Sequence, residues 1–268
     1  MKINFIGGGN MARAIIGGLK QNGLDMTAIT VLEPTEQKRT ELAHEFNVQV
    51  TDAYTGFENS DVIVLAVKPQ QLKEVCASLA PVLNSQLVVS IAAGVRSKDI
   101  SRWLGNYPAI VRVMPNTPAQ IQAGISALYA MPQVSETQRE QANLILSAVG
   151  KTLWLKDEAQ MDAVTAISGS GPAYVFYFIE ALQDAGMALG LSAEASKLLA
   201  LQTFAGASQL AVHSHEDIKT LRAQVTSKGG TTEQGILSLE TADIKAIVSK
   251  AAKAAADKSV QLGDQLGA

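Results

Sequence analysis

Lys2-Ile3-Asn4-Phe5-Ile6-Gly7-Gly8-Gly9-Asn10-Met11-Ala12 opens the chain and carries its most informative pattern. A short apolar run leads into three glycines and then into apolar residues at helical spacing, which predicts a strand, a tight turn and a helix. Gly7 permits the sharp turn, Gly9 lets a ligand approach the main chain, and Ala12 stands where a third glycine would allow close helix–strand packing. Amides at the start of such a helix face a pyrophosphate, so the pattern predicts dinucleotide binding; the alternative is an ordinary tight turn.

The composition is ordinary for a soluble globular protein. The 268 residues are 47% hydrophobic and 18% charged, with a net charge of −3 and an isoelectric point near 5.7. This acidic balance argues against a nucleic-acid partner, because such partners favour a basic face. No run approaches about 18 apolar residues, which argues against a membrane span, and no signal-like segment precedes the first strand. The single cysteine, Cys76, is interpreted as a small apolar residue in a reducing compartment, so we expect a cytoplasmic protein.

Strand-like and helix-like runs alternate through residues 1–157. The apolar runs at 61–67, 87–92 and 110–114 are unbroken, as expected for central parallel strands covered on both faces. The alternation predicts an α/β fold whose N-terminal domain, residues 1–157, is a Rossmann-like, doubly wound parallel sheet that binds a dinucleotide.

Residues 158–268 lack strand-like runs and are rich in alanine-containing helical patterns. We expect an all-α domain with a break at residues 168–172, because glycines interrupt a helix and proline suits the first turn of the next one. A domain of about 110 residues rich in alanine and glycine has few large side chains to fill a core of its own. We therefore predict that residues 158–268 form a dimerisation and substrate-binding domain that completes its core against a second subunit.

Several groups of small or polar residues directly follow the apolar strands. A parallel sheet presents its carboxyl ends there, and open α/β sheets bind ligands at that edge. Each group alone could be an ordinary strand-to-helix turn, but together they predict a cofactor site. The residues at this edge that are predicted to bind the cofactor are Ile6, Gly7, Gly8, Gly9, Asn10, Met11, Ala66, Val67, Lys68, Pro69, Ala92, Ala93, Gly94 and Asn116.

Glu33 ends the second predicted strand and bears on the choice of cofactor. An acid at this position accepts hydrogen bonds from a ribose 2′-hydroxyl, which favours NADH and repels the 2′-phosphate of NADPH. Thr35, Lys38 and Arg39 are close in sequence and could instead bind that phosphate. Glu33 and Thr35 are therefore predicted cofactor-binding residues, with NADPH or NADH as the cofactor; the alternative is that Glu33 points to solvent.

Hydride transfer is the chemistry that the sequence fits best. Two of the three histidines, His213 and His215, are spaced for a strand but fall at the end of a predicted helix, so we expect no metal site. A nicotinamide cofactor carries the difficult chemistry, and the protein has to supply binding, orientation and a proton source. The polar segment 226–232 could present amides as an anion-binding nest at a helix start, which makes it the candidate substrate cradle; the alternative is a solvated interhelical loop.

Taken together, these segments resemble the pyrroline-5-carboxylate reductase family, and the resemblance covers nearly the whole chain in the family's order. It rests on residues 5–12, 66–69, 88–95, 114–118, 168–174 and 229–232. The resemblance implies reduction of the cyclic imine 1-pyrroline-5-carboxylate to L-proline with NADPH or NADH, the last step of proline biosynthesis. It also implies interleaved homodimers, often assembled as decamers of five dimers, in which helices of both subunits complete the active site.

The resemblance further assigns roles within the segment 229–232. The backbone around Gly229, Gly230 and Thr231 would hold the substrate carboxylate, and Thr232 would be the catalytic residue, hydrogen-bonded to the ring nitrogen. Lys228 stands where the family commonly has proline.

Two alternative functions are weighed against this one. A β-hydroxyacid dehydrogenase shares the glycine turn and a helical second domain, but Val175 and Phe178 stand where that family has its lysine and asparagine, which argues against its chemistry. A regulatory module that binds NADP without turnover would not need the segment 229–232, which this chain retains.

Overall fold

The computed structural model describes all 268 residues and contains one eight-stranded sheet. The strands are β1 (Ile3–Ile6), β2 (Ile29–Leu32), β3 (Gln49–Thr51), β4 (Val62–Leu65), β5 (Leu87–Ser90), β6 (Ile110–Met114), β7 (Gly124–Ala130) and β8 (Gly150–Trp154). Their order across the sheet is β3-β2-β1-β4-β5-β6-β7-β8, and the first six run parallel. The predicted doubly wound arrangement is confirmed, and the strand order reverses between β1 and β4, which makes the end of β1 the topological switch point.

The sheet departs from the parallel arrangement at β7, a strand that the sequence analysis does not predict. β7 runs antiparallel to β6, with Leu128 opposite Val113. The 3₁₀ turn Thr117–Ile121 makes this connection, and it is too short for a parallel neighbour, which needs a crossover of about a dozen residues or more. β8 then pairs parallel to β7 after a helical crossover.

Helices cover both faces of the sheet. In chain order they are α1 (Asn10–Gln21), α2 (Glu36–Phe46), α3 (Leu72–Leu79), α4 (Ser97–Trp103), α5 (Glu136–Ser147) and α6 (Gln160–Val164). Alternate residues of a strand point to opposite faces. Val62 and Val64 therefore pack with α1, α2 and α5, whereas Ile63 and Leu65 pack with α3 and α4. Both faces of the strand are buried, which explains the unbroken apolar runs in the sequence.

The break predicted at residues 168–172 is a change of helix type. Thr165–Gly169 form a π-helical turn, and the next helix starts at Gly171. A Cβ at Gly169 would overlap the end of the Met114 side chain, so glycine lets this turn approach the end of β6. Such π-turns are frequent at functional sites.

The chain divides into two compact units, residues 1–170 with 254–268 and residues 171–253. The sequence analysis places a domain boundary after residue 157 instead. Residues 158–170 belong to the first unit in this division, because Met161 and Ala166 are buried there. The inclusion of residues 254–268 in the first unit has no signal in the sequence pattern.

The second unit is all-helical, as predicted. It contains α7 (Gly171–Ala188), α8 (Ala193–His213), α9 (Ile218–Gln224), α10 (Thr231–Thr241) and the first part of α11 (Ile244–Leu266). The Ser192 side chain caps α8 by accepting a hydrogen bond from the Ala195 amide. None of the helices combines the length and the hydropathy needed to cross a membrane.

α7 exposes large apolar side chains in the single chain. None of its residues is buried, and Phe176 and Tyr177 are 65% and 70% exposed. A continuous apolar helix face of this kind marks an interaction surface. This exposure agrees with the predicted need for a second subunit.

We expect Gly18→Ala to destabilise the first unit. Gly18 lies in α1 where a Cβ would overlap the carbonyl oxygen of Ala148, a backbone atom that cannot move independently. Overpacking of this kind costs about 1–3 kcal/mol. The matched control is Gly17→Ala, because a Cβ at Gly17 meets only a Phe46 ring carbon at 3.4 Å and gains helix propensity. Urea unfolding of both variants should show a lower midpoint for Gly18→Ala alone; equal midpoints would contradict the prediction.

Candidate cofactor and substrate sites

The main chain turns sharply at Gly7. Its φ of +101° lies in the left-handed region, and a Cβ at this position would lie 2.7 Å from the carbonyl oxygen of Ala66, so only glycine fits. The Gly7 amide donates to the carbonyl oxygen of Leu32 at 2.8 Å, which ties the turn to β2. Gly9 differs, because its φ is −74° and a Cβ there would meet nothing within 4 Å. Gly7 is needed by the fold, whereas Gly9 leaves open space at the start of α1.

A cavity of about 530 Å³ opens beside this turn. Its wall includes the ends of β1 and β2 and the loop after β4, so it lies at the switch point of the sheet. Nine of the predicted cofactor-binding residues line it: Ile6, Gly7, Gly8, Gly9, Glu33, Thr35, Ala66, Val67 and Lys68.

The other predicted cofactor-binding residues lie outside this cavity. Asn10 and Met11 are the first residues of α1, and Pro69 begins the 3₁₀ turn that leads into α3. Ala92, Ala93 and Gly94 follow β5, and Asn116 follows β6. Because β4, β5 and β6 are adjacent parallel strands, these loops share one carboxyl edge with the cavity.

Asn116 links three segments at this edge. Its side-chain oxygen accepts a hydrogen bond from the Ile125 amide at 3.0 Å, and its nitrogen donates to the Ser168 hydroxyl at 3.3 Å. The side chain therefore joins the loop after β6 to β7 and to the π-helical turn. This places the carboxamide in a structural network, and its predicted contact with the cofactor stays a prediction.

Glu33 is buried, so the alternative that it points to solvent is wrong. Only 6% of the residue is exposed, and its two carboxylate oxygens accept hydrogen bonds from the amides of Gly8 and Thr35, both at 3.2 Å. Glu33 therefore joins the glycine turn to the loop after β2. Its negative charge lies in the wall of the cavity, where a ribose hydroxyl would be attracted and a 2′-phosphate repelled.

The two nearby cations have different positions. Arg39 donates to the carbonyl oxygens of Glu33 and Pro34, at 2.8 and 2.9 Å, and lies 3.4 Å from the Asp52 carboxylate, so its guanidinium already has partners. Lys38 lines the cavity and forms no ion pair. Of the two, Lys38 is the cation available to a phosphate in this cavity.

One wall of the cavity was missed by sequence reasoning. Gln71, Glu74 and Ser78 of the α3 region line it together with Tyr54. The spacing of the first three residues, which places them on one helix face, was the available signal. Burial raises the pKa of Tyr54, so this hydroxyl stays protonated and can donate a hydrogen bond.

Cys76 lies in the core on α3 and takes no part in the site. The residue is completely buried, and burial raises the pKa of its thiol to about 12, so the thiolate is not formed near neutral pH. The interpretation of Cys76 as an apolar residue is confirmed.

The segment 229–232 lies in the second unit at the start of α10. Gly229 has a φ of +75°, Gly230 is the N-cap, and the helix begins at Thr231. The side chains of Thr231 and Thr232 are exposed and make no hydrogen bond within the chain. The amides in the first turn of a helix lack intrahelical partners, so the segment can bind an anion.

Glu233 alters the predicted anion-binding nest. Its carboxylate accepts a hydrogen bond from the Gly229 amide at 2.7 Å, and the Gly230 amide donates to the Ser227 carbonyl oxygen at 3.0 Å. These two amides are therefore occupied, which leaves the amides of Thr231 and Thr232 as the donors of the segment. A Glu at the third helical position is a known N-terminal signal, and the sequence analysis did not use it.

The residues of the first unit fit a dinucleotide cofactor. The open face at Gly9, the unpaired amides at the start of α1 and the free cation Lys38 can bind phosphate oxygens, and Glu33 can accept from a ribose. The structure contains no group of three or more His, Cys, Asp or Glu side chains that could hold a metal ion.

Comparison with known families divides the chain into two matched regions. Residues 158–262 match a family model described as pyrroline-5-carboxylate reductase dimerisation. Residues 2–94 match a model described as NADP oxidoreductase coenzyme F420-dependent.

Curated proteins and solved structures are similar to the chain over almost its full length. The pyrroline-5-carboxylate reductase of Pseudomonas aeruginosa is 48% identical, with 99% of this chain and 98% of that protein covered. A pyrroline-5-carboxylate reductase structure from Coxiella burnetii has a TM-score of 0.94 at 43% identity, covering 97% of this chain and 98% of that one. A Plasmodium falciparum pyrroline carboxylate reductase with NADP bound has a TM-score of 0.86 at 33% identity, covering 98% of each chain.

Gly9→Ala separates cofactor binding from folding. A Cβ at Gly9 meets nothing within 4 Å, so we expect an unchanged melting temperature. If a pyrophosphate approaches this backbone, the methyl group should raise the Kd for NADPH by about tenfold or more, the equivalent of about 1.4 kcal/mol. Fluorescence titration with NADPH measures the Kd. The control is Gly17→Ala, at a glycine of α1 outside the cavity wall whose added Cβ would meet only a Phe46 ring carbon at 3.4 Å. A wild-type Kd in Gly9→Ala would remove Gly9 from the site.

Proposed function

This chain belongs to the pyrroline-5-carboxylate reductase family, and on that premise we propose that it reduces 1-pyrroline-5-carboxylate to L-proline with NADPH. The observation that carries the proposal is the 48% identity to a reductase of this name over 99% of the chain. The cavity at the glycine turn supports it, because it offers amides and a cation to a dinucleotide. The protein is thus an NAD(P)H-dependent oxidoreductase, and its reaction is a step of proline biosynthesis.

In this proposal the chain binds and orients the reactants, and the bound nicotinamide supplies the hydride. The glycine turn and the start of α1 hold the pyrophosphate, and the loops after β4, β5 and β6 extend the site along the carboxyl edge. The amides of Thr231 and Thr232 hold the substrate carboxylate at the start of α10, where the helix dipole favours a negative charge. Lys228 is exposed next to this segment and adds a positive charge there.

Thr232 is proposed to bind the ring nitrogen of the substrate. A threonine hydroxyl is a poor acid at neutral pH, so its first role is to orient the imine, and the proton arrives with the substrate or from water. Its hydroxyl has no partner within the chain and is therefore available for this bond.

The two alternative functions are not favoured. The relatives that cover almost the whole chain are named reductases. The lysine and asparagine of a β-hydroxyacid dehydrogenase are absent, since Val175 and Phe178 stand in their places.

The matched dimerisation domain supports a homo-oligomer. We propose a homodimer that buries the apolar face of α7 and that assembles further as a decamer of five dimers. The acidic composition and the single buried thiol support a cytoplasmic protein without a nucleic-acid partner.

An absorbance assay at 340 nm tests the proposed reaction directly. NADPH should be oxidised when 1-pyrroline-5-carboxylate is added, and L-proline should form in equal amount. A protein that binds NADPH without oxidising it would instead support the regulatory module.

Thr232→Ala should lower kcat/KM for the imine. The loss of one hydrogen bond to a charged group costs about 1.5–3 kcal/mol, which corresponds to roughly 10- to 100-fold. Thr232→Ser is the matched control, because it keeps the hydroxyl and should retain most of the activity. The Kd for NADPH should be unchanged in both variants. Near-normal turnover of Thr232→Ala would remove Thr232 from the site.

Glu33→Gln should shift the cofactor preference towards NADPH. Gln keeps the size of the side chain and one oxygen acceptor, so it loses one of the two hydrogen bonds from the Gly8 and Thr35 amides, and it removes the charge that repels the 2′-phosphate. Two charges about 4 Å apart in water interact by about 1 kcal/mol, so the ratio of kcat/KM for NADPH over NADH should rise roughly fivefold. The control is Glu36→Gln, at an exposed acid outside the cavity wall, which should leave the ratio unchanged. An unchanged ratio in Glu33→Gln would show that its charge does not meet the phosphate.

A further inference from the structure

The last turns of α11 lie against the loop that follows β5. We propose that residues 259–268, here called the C-terminal brace, position the loop at residues 92–96 for cofactor binding, and that Asp264 is a positioning residue that acts through Arg96. This inference rests on the proposed function, because residues 92–94 belong to the predicted NADPH site.

The brace and the loop approach each other closely at Gly94. Its φ of +80° requires the left-handed region, and a Cβ there would lie 3.6 Å from both the Leu262 Cβ and the Leu266 Cδ1. In the opposite direction, a Cβ at Gly263 would lie 3.0 Å from the Gly94 carbonyl oxygen. Gly263 therefore lets the helix approach the loop backbone closely, whereas glycine at position 94 is required by its φ and not by a lack of space, because 3.6 Å is an ordinary contact distance.

An ion pair joins Arg96, two residues further along the loop, to the brace. The Arg96 guanidinium lies 2.7 Å from the Asp264 carboxylate and donates to the Val260 carbonyl oxygen at 3.4 Å. The Asp264 side chain is 64% exposed, so solvent screens this pair and its contribution to overall stability is small. The pair instead affects the position of the loop. The Arg96 guanidinium contacts both the Asp264 carboxylate and the Val260 carbonyl oxygen, and these two contacts align the loop with the helix.

The far end of the loop is anchored independently of the brace. The Glu158 carboxylate accepts from the amide and the hydroxyl of Ser97, at 2.7 and 2.6 Å, and from the buried Arg112 guanidinium at 2.9 Å. β5 holds the near end through its pairing with β4 and β6. Between these anchors Ala92 and Val95 are buried in the core, and Gly94 is the residue that the brace contacts.

The position of the loop along the sheet relates the brace to the cofactor. Glu33, at the end of β2, is the acceptor suited to the adenosine ribose, so the other half of a dinucleotide extends across β1 towards β4 and β5. Ser90 at the end of β5 pairs with Leu65 at the end of β4, so the loop follows directly beside the cavity wall. Ala93 is its exposed residue and is available to a ligand.

Gly263→Ala tests the brace by adding one methyl group at its contact with the loop. The methyl would press on the Gly94 carbonyl oxygen and on the Arg96 guanidinium, which lies 3.2 Å from the added atom. We expect KM and Kd for NADPH to rise about five- to tenfold with KM for the imine unchanged, since a misplacement of ~1 Å can cost about 100-fold. Gly17→Ala, the same change in a helix with room for a methyl group, should leave these values at wild-type level.

Asp264→Asn and Asp264→Glu provide a second test that does not depend on packing. The Asn variant should raise the Kd for NADPH by about threefold. The increase should be larger at low salt, where an exposed ion pair is screened less and contributes more. The Glu variant keeps the negative charge and should have the wild-type Kd. A purely structural role would lower the melting temperature or the active fraction without changing the Kd.

Wild-type Kd and KM for NADPH in folded Gly263→Ala and in Asp264→Asn would overturn the inference. If Gly263→Ala does not fold, the Asp264 variants decide alone. If the wild-type protein binds NADPH but does not reduce the imine, the proposed function fails, and the Kd measurements still decide the role of the brace.

Discussion

The contact between Gly7 and the Ala66 carbonyl oxygen leaves no space for a side chain, and the cofactor site depends on it. β1 and β4 are paired up to Ile6 and Leu65, so the two loops leave the sheet side by side. The bond from the Gly7 amide to the Leu32 carbonyl oxygen holds the same turn from the side of β2. With the turn constrained on both sides, the amides at the start of α1 are preorganised for a phosphate group, and binding does not have to order them.

Glu33 places a carboxylate in the wall of a cavity that is expected to bind phosphate groups. Its buried carboxylate satisfies the amides of Gly8 and Thr35, so the turn acquires a negative charge close to the place where phosphates are expected. Burial of a carboxylate is tolerated when it accepts hydrogen bonds from backbone amides. Lys38 supplies a compensating positive charge, whereas Arg39 is already bound to backbone oxygens. Glu33 therefore shapes the turn, and we propose that the same side chain influences the preference between NADPH and NADH.

The two units differ in how they complete their cores. The sheet unit buries large side chains on both faces and needs no partner for this purpose. The helical unit leaves Phe176 and Tyr177 open to solvent, and the apolar surface that they form is a candidate interface with another subunit. The substrate segment lies in this second unit at the start of α10, which links the proposed substrate site to the part of the chain that matches a dimerisation family.

Local patterns in the sequence determined the alternation of strands and helices up to β6, the glycine turn and the Ser192 cap, because each depends on neighbouring residues. The tertiary structure alone decided the features that depend on residues far apart. Glu33 meets Gly8 across 25 positions, and Arg96 meets the Val260 carbonyl oxygen across 164. β7 was missed because its pairing with β6 is set by the short connection and not by its composition. The periodicity of apolar residues indicates which residues are buried, but it does not indicate which residues far apart in the sequence contact each other.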